Sequence, residues 1–459
     1  MLLNYFKNLS FKREWLMFKR NVMSGGIFFK PDIGNTDPLS LPVENLPAPP
    51  IVTIPLIQNK ETPARPIVKA GDYVAVGQII GEATDDSGAH LHASVSGVVT
   101  KVSRYPYVRD PAAVSVTIEN NGNDEFASPI PYDKPWTESG PDELIGKIRL
   151  SGIIDWNGGN GIPAHAKFAA AQGKRIDTLI INALATEPYC SADLRLCIDH
   201  SEKLAVGIAI CKRITGASKC VVVAGGKIPK VLHGLSALPA GARPVEFYSV
   251  RIKKAKYPQH EEGFVVRACP GIVLPADCVV IGAAAAVAVR DAIVELIPSY
   301  QRAVTVAGPA IGSPKHLLVR IGTPVGCLLE ACGADYTNIK KLVAGGPMSG
   351  TAVQDLETPV TKATGALLAL DKTFPGQRQY PCFGCRRCYA VCPRRLEPSR
   401  LAQLVQADTV EELDKLGIME CIECGCCAYV CPSKINLVHY LSFGKWLVRE
   451  RSAVRQRAG

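Results

Sequence analysis

Residues 382–393, CFGCRRCYAVCP, and residues 421–432, CIECGCCAYVCP, set out cysteines at one shared spacing, C-x2-C-x2-C-x3-C-P. Three closely spaced thiolates can wrap one face of an iron–sulfur cubane, and a fourth, from a more distant helix start, closes it. In two-cluster proteins with this spacing the fourth cysteine ligates the other cluster. The runs therefore read as two [4Fe–4S] clusters. The first takes Cys382, Cys385, Cys388 and Cys431; the second takes Cys421, Cys424, Cys427 and Cys392. Cys426 breaks the period and reads as a spare thiol, packed or near a cluster. Structural zinc also uses four cysteines, but the threefold x2 spacing with a distal Cys-Pro, duplicated, argues for iron. Such clusters make no bonds and pass single electrons, so the chain reads as an electron-transfer protein.

A chain of 459 residues is too long for one ordinary core, and two to four domains are expected. With 47% apolar residues it can fill those cores, and 40 Gly and 34 Pro point to turns and short strands rather than a helical bundle. The formal net charge of +10 reads either as a solvated surface or as attraction to an acidic partner or an anionic membrane. No nucleic-acid motif accompanies it, so nucleic acid is not expected as a partner. Of 17 cysteines, nine fall between Cys382 and Cys431. The other eight sit in mostly apolar surroundings and read as small buried hydrophobes. No secretory signal is evident at the start, MLLNYFKNLSFKREWLMFKR, which favours a reducing compartment over a disulfide framework. The longest apolar run, CVVIGAAAAVAV from Cys278, is too short to span a bilayer. Residues 1–24 read as a basic helix or arm. It either touches a membrane or partner surface or has no role.

Along the chain, residues 24–50 form an irregular Gly/Pro-rich arm. Short strands follow from Ile51, turning at Gly71-Asp72, Gly77 and Gly97. Their pattern is similar to a lipoyl-type barrel-sandwich domain. The place of the carrier lysine reads His92-Ala93-Ser94-Val95-Ser96-Gly97, so this is a structural β domain. IDTLIINAL from Ile176 and KCVVVAGG from Lys219 are continuous apolar strands of the buried parallel kind, separated by a helical stretch. Short strands return from about residue 303, with one short helix, before the cysteine runs. The stretch joining those runs has helical period, and the basic tail after Lys445 is expected to be poorly ordered. The fold class is multidomain α/β plus β.

The order of these parts resembles the RnfC family, the C subunits of the Rnf electron-transport complexes, which couple electron flow to ion pumping across a membrane. The resemblance rests on Gly25-Gly26, IPLIQNKETPARPIVKAGDYVAVGQII from Ile54, HASVSGVV from His92, KYPQHEEG from Lys256, RIGTP from Arg320, GGPMSG from Gly345 and both cysteine runs. It covers nearly all of the chain from Gly25 to Lys445. The same architecture occurs in RnfC-like cobalamin reductases. The resemblance implies a basic N-terminal arm (1–24), a barrel-sandwich hybrid domain (25–135), an α/β domain like the complex I flavoprotein (136–298), an SLBB-like β domain (299–372), a ferredoxin-like dicluster domain (373–445) and a basic tail (446–459).

In that family the α/β domain carries FMN beside a glycine loop, GLGGAGFPTH.K. Here the loop reads Trp156-Asn157-Gly158-Gly159-Asn160-Gly161-Ile162-Pro163-Ala164-His165-Ala166-Lys167. Its leading glycine has become Trp156. The family's NG.ECEPY reads NALATEPY, keeping Glu187 but placing Ala185 at the first glutamate position. The acidic IEDNKP stretch reads VAGGKIP, keeping Lys227, and small apolar residues from Ile281 to Ala285 replace NV.T. These changes remove polar groups that would hold flavin or nicotinamide. They count against NADH and, less strongly, against FMN. Gly158, Gly159, Gly161, Lys167 and Glu187 remain as candidates for a flavin cavity, with His165 read as structural. The resemblance further implies a peripheral subunit on the cytoplasmic face of the cell membrane, inside a multisubunit oxidoreductase. It would relay electrons between ferredoxin, or a similar redox protein, and the other Rnf-like membrane subunits. An FMN-dependent NADH dehydrogenase subunit (or an RnfC-like soluble reductase) and a mainly structural docking subunit are the alternatives.

Overall fold

The computed structural model describes residues 23–29, 38–59, 62–105, 113–128, 134–156, 161–225, 246–252, 255–269, 272, 275–372 and 378–458. Residues 1–22 of the expected N-terminal helix, and Gly158, Gly159 and Lys227, lie outside the described residues.

The first strands are β1 (Val43–Asn45), β2 (Ile51–Pro55), β3 (Ala64–Pro66), β4 (Tyr73–Val74), β5 (Ile79–Ala83), β6 (Leu91–His92), β7 (Gly97–Arg104) and β8 (Val114–Asn120). They form a four-stranded sheet in the order β2-β8-β7-β4 facing a three-stranded sheet β3-β5-β6. Alternation sends Val52, Ile54, Val99, Val116 and Ile118 into one shared core with Ile80 and Leu91. Gly97 is required where β7 begins: at φ +151° a Cβ there would stand 1.9 Å from the Glu119 carbonyl oxygen. The His92–Gly97 segment is buried throughout rather than presented on a hairpin tip. Ser94 Oγ donates to the Ile321 carbonyl at 2.5 Å and Arg320 to the Ser94 carbonyl at 3.0 Å. This stretch is a seam between domains. β1 does not join the barrel: it pairs in parallel with a strand of the third module.

The α/β module contains the hairpin β9 (Ile154–Asp155) and β10 (Ile162–Pro163), then β11 (Thr178–Ala183), β12 (Lys219–Ala224), β13 (Glu246–Arg251) and β14 (Cys278–Gly282). Its helices are α1 (Pro141–Leu150), α2 (Ala164–Ala169), α3 (Ala192–Asp199), α4 (Ser201–Thr215), α5 (Glu262–Ala268) and α6 (Ala283–Arg290). The sheet is parallel in the order β13-β12-β11-β14. Every residue of β11 is buried because both faces are covered. Leu179, Ile181 and Ala183 pack among the helices of one face, while Ile180 meets Val265 of α5 on the other. Gly207 lets α4 and α6 touch: a Cβ there would fall 1.9 Å from the Ala286 carbonyl oxygen. The chain leaves β11 toward β12 on one side and returns to β14 on the other, which opens a crevice at their carboxyl ends.

The third module has β15 (Gln301–Ala307), β16 (Lys315–Arg320), α7 (Val325–Ala331), β17 (Lys341–Ala344), β18 (Thr351–Val353) and β19 (Ala366–Leu370), with sheet order β1-β16-β15-β19-β17-β18. The fourth is helical: α8 (Arg387–Val391), α9 (Pro398–Gln406), α10 (Val410–Lys415), α11 (Cys426–Tyr429) and α12 (Leu437–Ala458). The tail after Lys445, expected to be poorly ordered, is instead the continuation of α12. Val448 is buried against the fourth module's core, and the tail's Arg, Glu, Ala and Gln residues are good helix formers. Among the described residues no helix is long and apolar enough to cross a membrane.

Lys362 joins three modules. Its ammonium donates to the Gly152 carbonyl at 2.6 Å and reaches the His90 carbonyl at 3.5 Å, while its backbone N–H donates to Gln58 at 2.9 Å. Burial pushes its pKa down to about 7. Between that value and the ordinary lysine value the unfolded chain binds the proton and the native chain does not, so stability rises with pH across this window. Lys362→Met should remove that rise, seen as a flatter dependence of the thermal midpoint on pH from about 7 to about 10. An unchanged slope would remove Lys362 as its source.

Candidate metal centres and the adjoining cleft

The two cysteine runs repeat in backbone geometry as well as in spacing. Gly384 and Glu423, Arg386 and Gly425, and Arg395 and Lys434 occupy matching places in the two runs and all have positive φ. The left-handed residue after the second cysteine turns each chain into a one-turn helix, α8 or α11, that presents the third cysteine. Four of these six residues are not glycine, a strained choice that the surrounding structure must hold.

These turns gather the sulfurs around two separate hollows. One is lined by Cys382, Cys385, Cys388 and Cys431. The other is lined by Cys392, Cys421, Cys424 and Cys427, with Cys426 at its edge. Each hollow thus draws three cysteines from one run and the fourth from the other. Among the described residues no group of three or more His, Cys, Asp or Glu is gathered tightly enough for a single ion. Tetrahedral zinc at 2.3 Å would bring its sulfurs to about 3.8 Å from one another. A cubane holds its cysteine sulfurs further apart, because a metal–sulfide core stands between them. The donor set, three thiols of one run and the fourth of the other around each hollow, fits two [4Fe–4S] clusters.

Their surroundings differ. Cys382 and Cys385 are exposed at the mouth of the first hollow. The second lies under other modules: Cys426 is fully buried with its Sγ 3.9 Å from the Tyr257 carbonyl, and Gly425 lies against Met348. Backbone N–H groups of Leu396 and Glu423 point at the sulfurs of Cys392 and Cys421 at 3.3 and 3.4 Å, donors of the kind that raise a cluster's potential. Burial pushes the Cys421 thiol up to about 11 and raises Cys392 and Cys427 as well. Iron binding offsets that cost by holding them as thiolates. Lys445 donates to the Cys421 carbonyl at 2.9 Å and pairs with Glu423. Spacing alone points to neither contact.

A cleft of about 1170 Å³, counting its open mouth, lies at the carboxyl ends of β11 and β14 and against the Gly345–Gly350 loop. This is the switch-point position, where α/β sheets take ligands, and where the resemblance would put FMN. The described residues do not fit that group. Glu187 lines the cleft, but its carboxylate is spent on Met348 N at 2.7 Å, Ser349 N at 2.8 Å and Ser349 Oγ at 2.6 Å. Asp193 and Arg302, the other charged groups of the lining, pair with each other at 2.8 Å. Gly161 has the expected positive φ, yet the Trp156 ring stands 2.7 Å from where its Cβ would be. Ala183, Ala185, Ala283 and Ala284 supply much of the wall. His165 is buried at the start of α2 and contacts the Asp86 carbonyl at 3.0 Å.

Lys167 lies outside the cleft lining. Its ammonium pairs with Asp155 at 2.9 Å and with Glu262, and donates to the Val280 carbonyl at 3.2 Å. Burial lowers its pKa, but the two carboxylates outweigh burial and hold it above the ordinary value. Asp155, 2% exposed, also accepts from Gly282 N at 2.9 Å, so the group ties β9 to the end of β14. Lys167→Met would leave the buried Asp155 and the half-buried Glu262 without their cation. It should destabilise the α/β module by about 3–5 kcal/mol at neutral pH, read by calorimetry. A full-height transition at the parent temperature would show that the triad carries no stability.

Family models match the chain in three places. Residues 23–123 match the RnfC barrel sandwich hybrid domain, residues 148–299 the Nuo51 FMN-binding domain and residues 381–435 the 4Fe-4S dicluster domain. The last match and the two cysteine hollows make two [4Fe–4S] clusters the chain's cofactors. The chain is 33% identical over 442 residues to the C subunit of the proton-translocating ferredoxin:NAD(+) oxidoreductase complex of Clostridium ljungdahlii, covering 94% of each chain. It is 32% identical to the C subunit of the ion-translocating oxidoreductase complex of Rhodobacter capsulatus, over 90% of this chain and 80% of that one. The C subunit of the Na(+)-translocating ferredoxin:NAD(+) oxidoreductase complex of Acetobacterium woodii is 31% identical, over 88% and 91%. Among solved structures, an NAD+-reducing [NiFe]-hydrogenase in its H2-reduced state aligns at a TM-score of 0.47 and 18% identity, over 69% of this chain and 63% of that one. Identity at this level across nearly the full length of both partners settles descent, and the chain belongs to the RnfC family, the C subunits of ion-translocating oxidoreductase complexes.

Proposed function

We propose that this chain is a peripheral electron-relay subunit. It passes single electrons between a soluble donor of the ferredoxin type and membrane-embedded redox subunits, on the cytoplasmic face of the membrane. The observation that carries this reading is the pair of four-cysteine hollows, each closed by the other run's fourth sulfur. Cys382, Cys385, Cys388 and Cys431 would hold one cluster, and Cys421, Cys424, Cys427 and Cys392 the other. When bound, the clusters supply one-electron storage and transfer. The chain's residues provide the thiolates, direct backbone N–H groups at sulfur, and exclude water with Leu396, Leu401, Leu437 and Leu441. Ion translocation would belong to spanning subunits, since such work needs groups inside the bilayer. Relatives bear names of ferredoxin:NAD(+) oxidoreductase complexes, which supports a ferredoxin-type donor. Among the described residues the charged side chains lining the cleft are committed to a loop or to one another, which disfavours NADH oxidation through flavin here.

The remaining modules frame this relay. The order β16-β15-β19-β17, with β15 and β19 parallel at the centre and α7 crossing between β16 and β17, is that of a β-grasp unit, and it supports the SLBB-like reading of residues 299–372. The barrel-sandwich hybrid domain, with no carrier lysine, would act as a packing body.

The crossed ligand assignment has its own test. Iron and electron paramagnetic resonance should be measured on Cys431→Ala, Cys385→Ala, Cys392→Ala and Cys424→Ala. The parent should hold about eight iron atoms per chain. Cys431→Ala and Cys385→Ala should degrade one and the same cluster signal, and Cys392→Ala and Cys424→Ala the other. Loss of one signal by both Cys431→Ala and Cys424→Ala, or zinc in place of iron, would defeat the assignment.

A further inference from the structure

The ligands of the two hollows are not equally exposed. Residues 378–387, RQYPCFGCRR, form an unbroken exposed run that includes two ligands of the first hollow. Tyr380 N donates to the Ser433 carbonyl at 2.9 Å and Ser433 Oγ to the Pro381 carbonyl at 3.0 Å, so this run is fastened beside Cys431. Phe383 stands between Cys382 and Cys385 and is 70% exposed, a large apolar side chain with its face in water. Arg386 lines the mouth of the first hollow with it. Arg387, the chain neighbour of Arg386, lines an open groove with Ala390, Val391, Tyr429, Val430 and Lys434. Among the described residues no carboxylate pairs with Arg386, Arg387 or Lys434. From Arg378 to Arg400 the sequence holds six arginines and a single acidic residue, Glu397. The ligands of the second hollow are half-buried or buried, and Tyr257 and Met348 lie against its run.

We infer that the face around the first hollow, centred on Phe383, Arg386 and Arg387, is the docking surface for an acidic one-electron redox protein. This rests on the relay reading above and names the surface it would use. Three features converge on one partner chemistry. Unpaired arginines around the mouth attract a negatively charged surface over a Debye length. An exposed aromatic at the centre offers the apolar anchor that short-lived redox contacts need. Two cysteine ligands at the surface let a partner's redox centre come close. A lipid surface would satisfy the first two features but has no electron to exchange at the third. The contact transfers one electron between the partner's centre and the first cluster, with no bond made and no proton moved.

The test uses the full-length, cluster-loaded chain and, as probe, a two-[4Fe–4S] ferredoxin of net negative charge. Binding is followed by surface-immobilised kinetics at several salt concentrations. Arg386→Glu/Arg387→Glu should weaken binding by about ten-fold or more at low ionic strength, chiefly through the on-rate, and flatten its salt dependence. Phe383→Ser should speed dissociation and leave the salt dependence unchanged. Lys69→Glu/Lys101→Glu, the same charge change on the exposed surface of the barrel, should leave affinity within about two-fold. Should the arginine pair lose iron, Arg378→Glu/Lys434→Glu carries the same expectation from just before the first run and just after the second. Equal weakening by the barrel variant, unaltered binding in the rim variants, or rim variants that lose binding only to vesicles of anionic phospholipid would each overturn the inference. Iron content and resonance signals stay at parent level in all of those cases, so the relay reading would survive them. Loss of iron from the parent would instead defeat the relay reading itself.

Discussion

Each metal hollow takes its fourth sulfur from the other cysteine run, and the rest of the C-terminal module follows from that exchange. Neither hollow can close until both runs have folded, so the helices between and after them must bring Cys392 and Cys431 back across the module. α9 and α12 do this by packing closely enough that a Cβ on Gly444 would meet the side chains of Val405 and Ile418 at 2.6 Å. Leu401, Leu413, Leu437 and Leu441 fill the space between them and are essentially out of water. An apolar wall around charged thiolates is costly without iron. With iron it becomes the low-dielectric sheath that shields a redox centre. Metal and fold therefore support one another here, as in other small metal-held modules.

The same C-terminal module is bound asymmetrically to the body of the protein. Its second half abuts the loop at Tyr257 and the Gly345–Gly350 loop, where Glu187 reaches across from the α/β module. Arg394 pairs with Glu261 at 3.0 Å and its guanidinium lies over Phe264. The first half carries unpaired arginines and an exposed phenylalanine into solvent. One face is thus committed inward and the other outward, a polarity that a relay requires.

The α/β module keeps the shape of a ligand-binding sheet while its charged groups have been turned to internal work. Lys167 is locked between Asp155 and Glu262, Glu187 holds a loop, and Arg302 holds Asp193. Alanine lines the place where polar groups would meet a cofactor. The crevice persists because it is a consequence of strand order, which packing on both faces of β11 preserves. Among the described residues the charged side chains of its lining are committed elsewhere, because side chains can be reassigned without disturbing that order.

Sequence alone carried the local facts. Cysteine spacing fixed the kind and number of metal centres, since ligand reach depends on residues a turn or two apart. Apolar runs without alternation marked the buried parallel strands, and the missing lysine at His92–Gly97 marked the barrel as structural. The order of the tail after Lys445 escapes such a reading, because its charge pattern hides the contacts of Leu447 and the buried Val448 with the module's core. The roles of Lys167 and Glu187 were also beyond sequence, since their partners lie 95 and 161 residues away. Tertiary structure decided which hollow has exposed ligands, which charges are spent and which are free. Burial and pairing belong to segments distant along the chain, and only the packed fold brings those together.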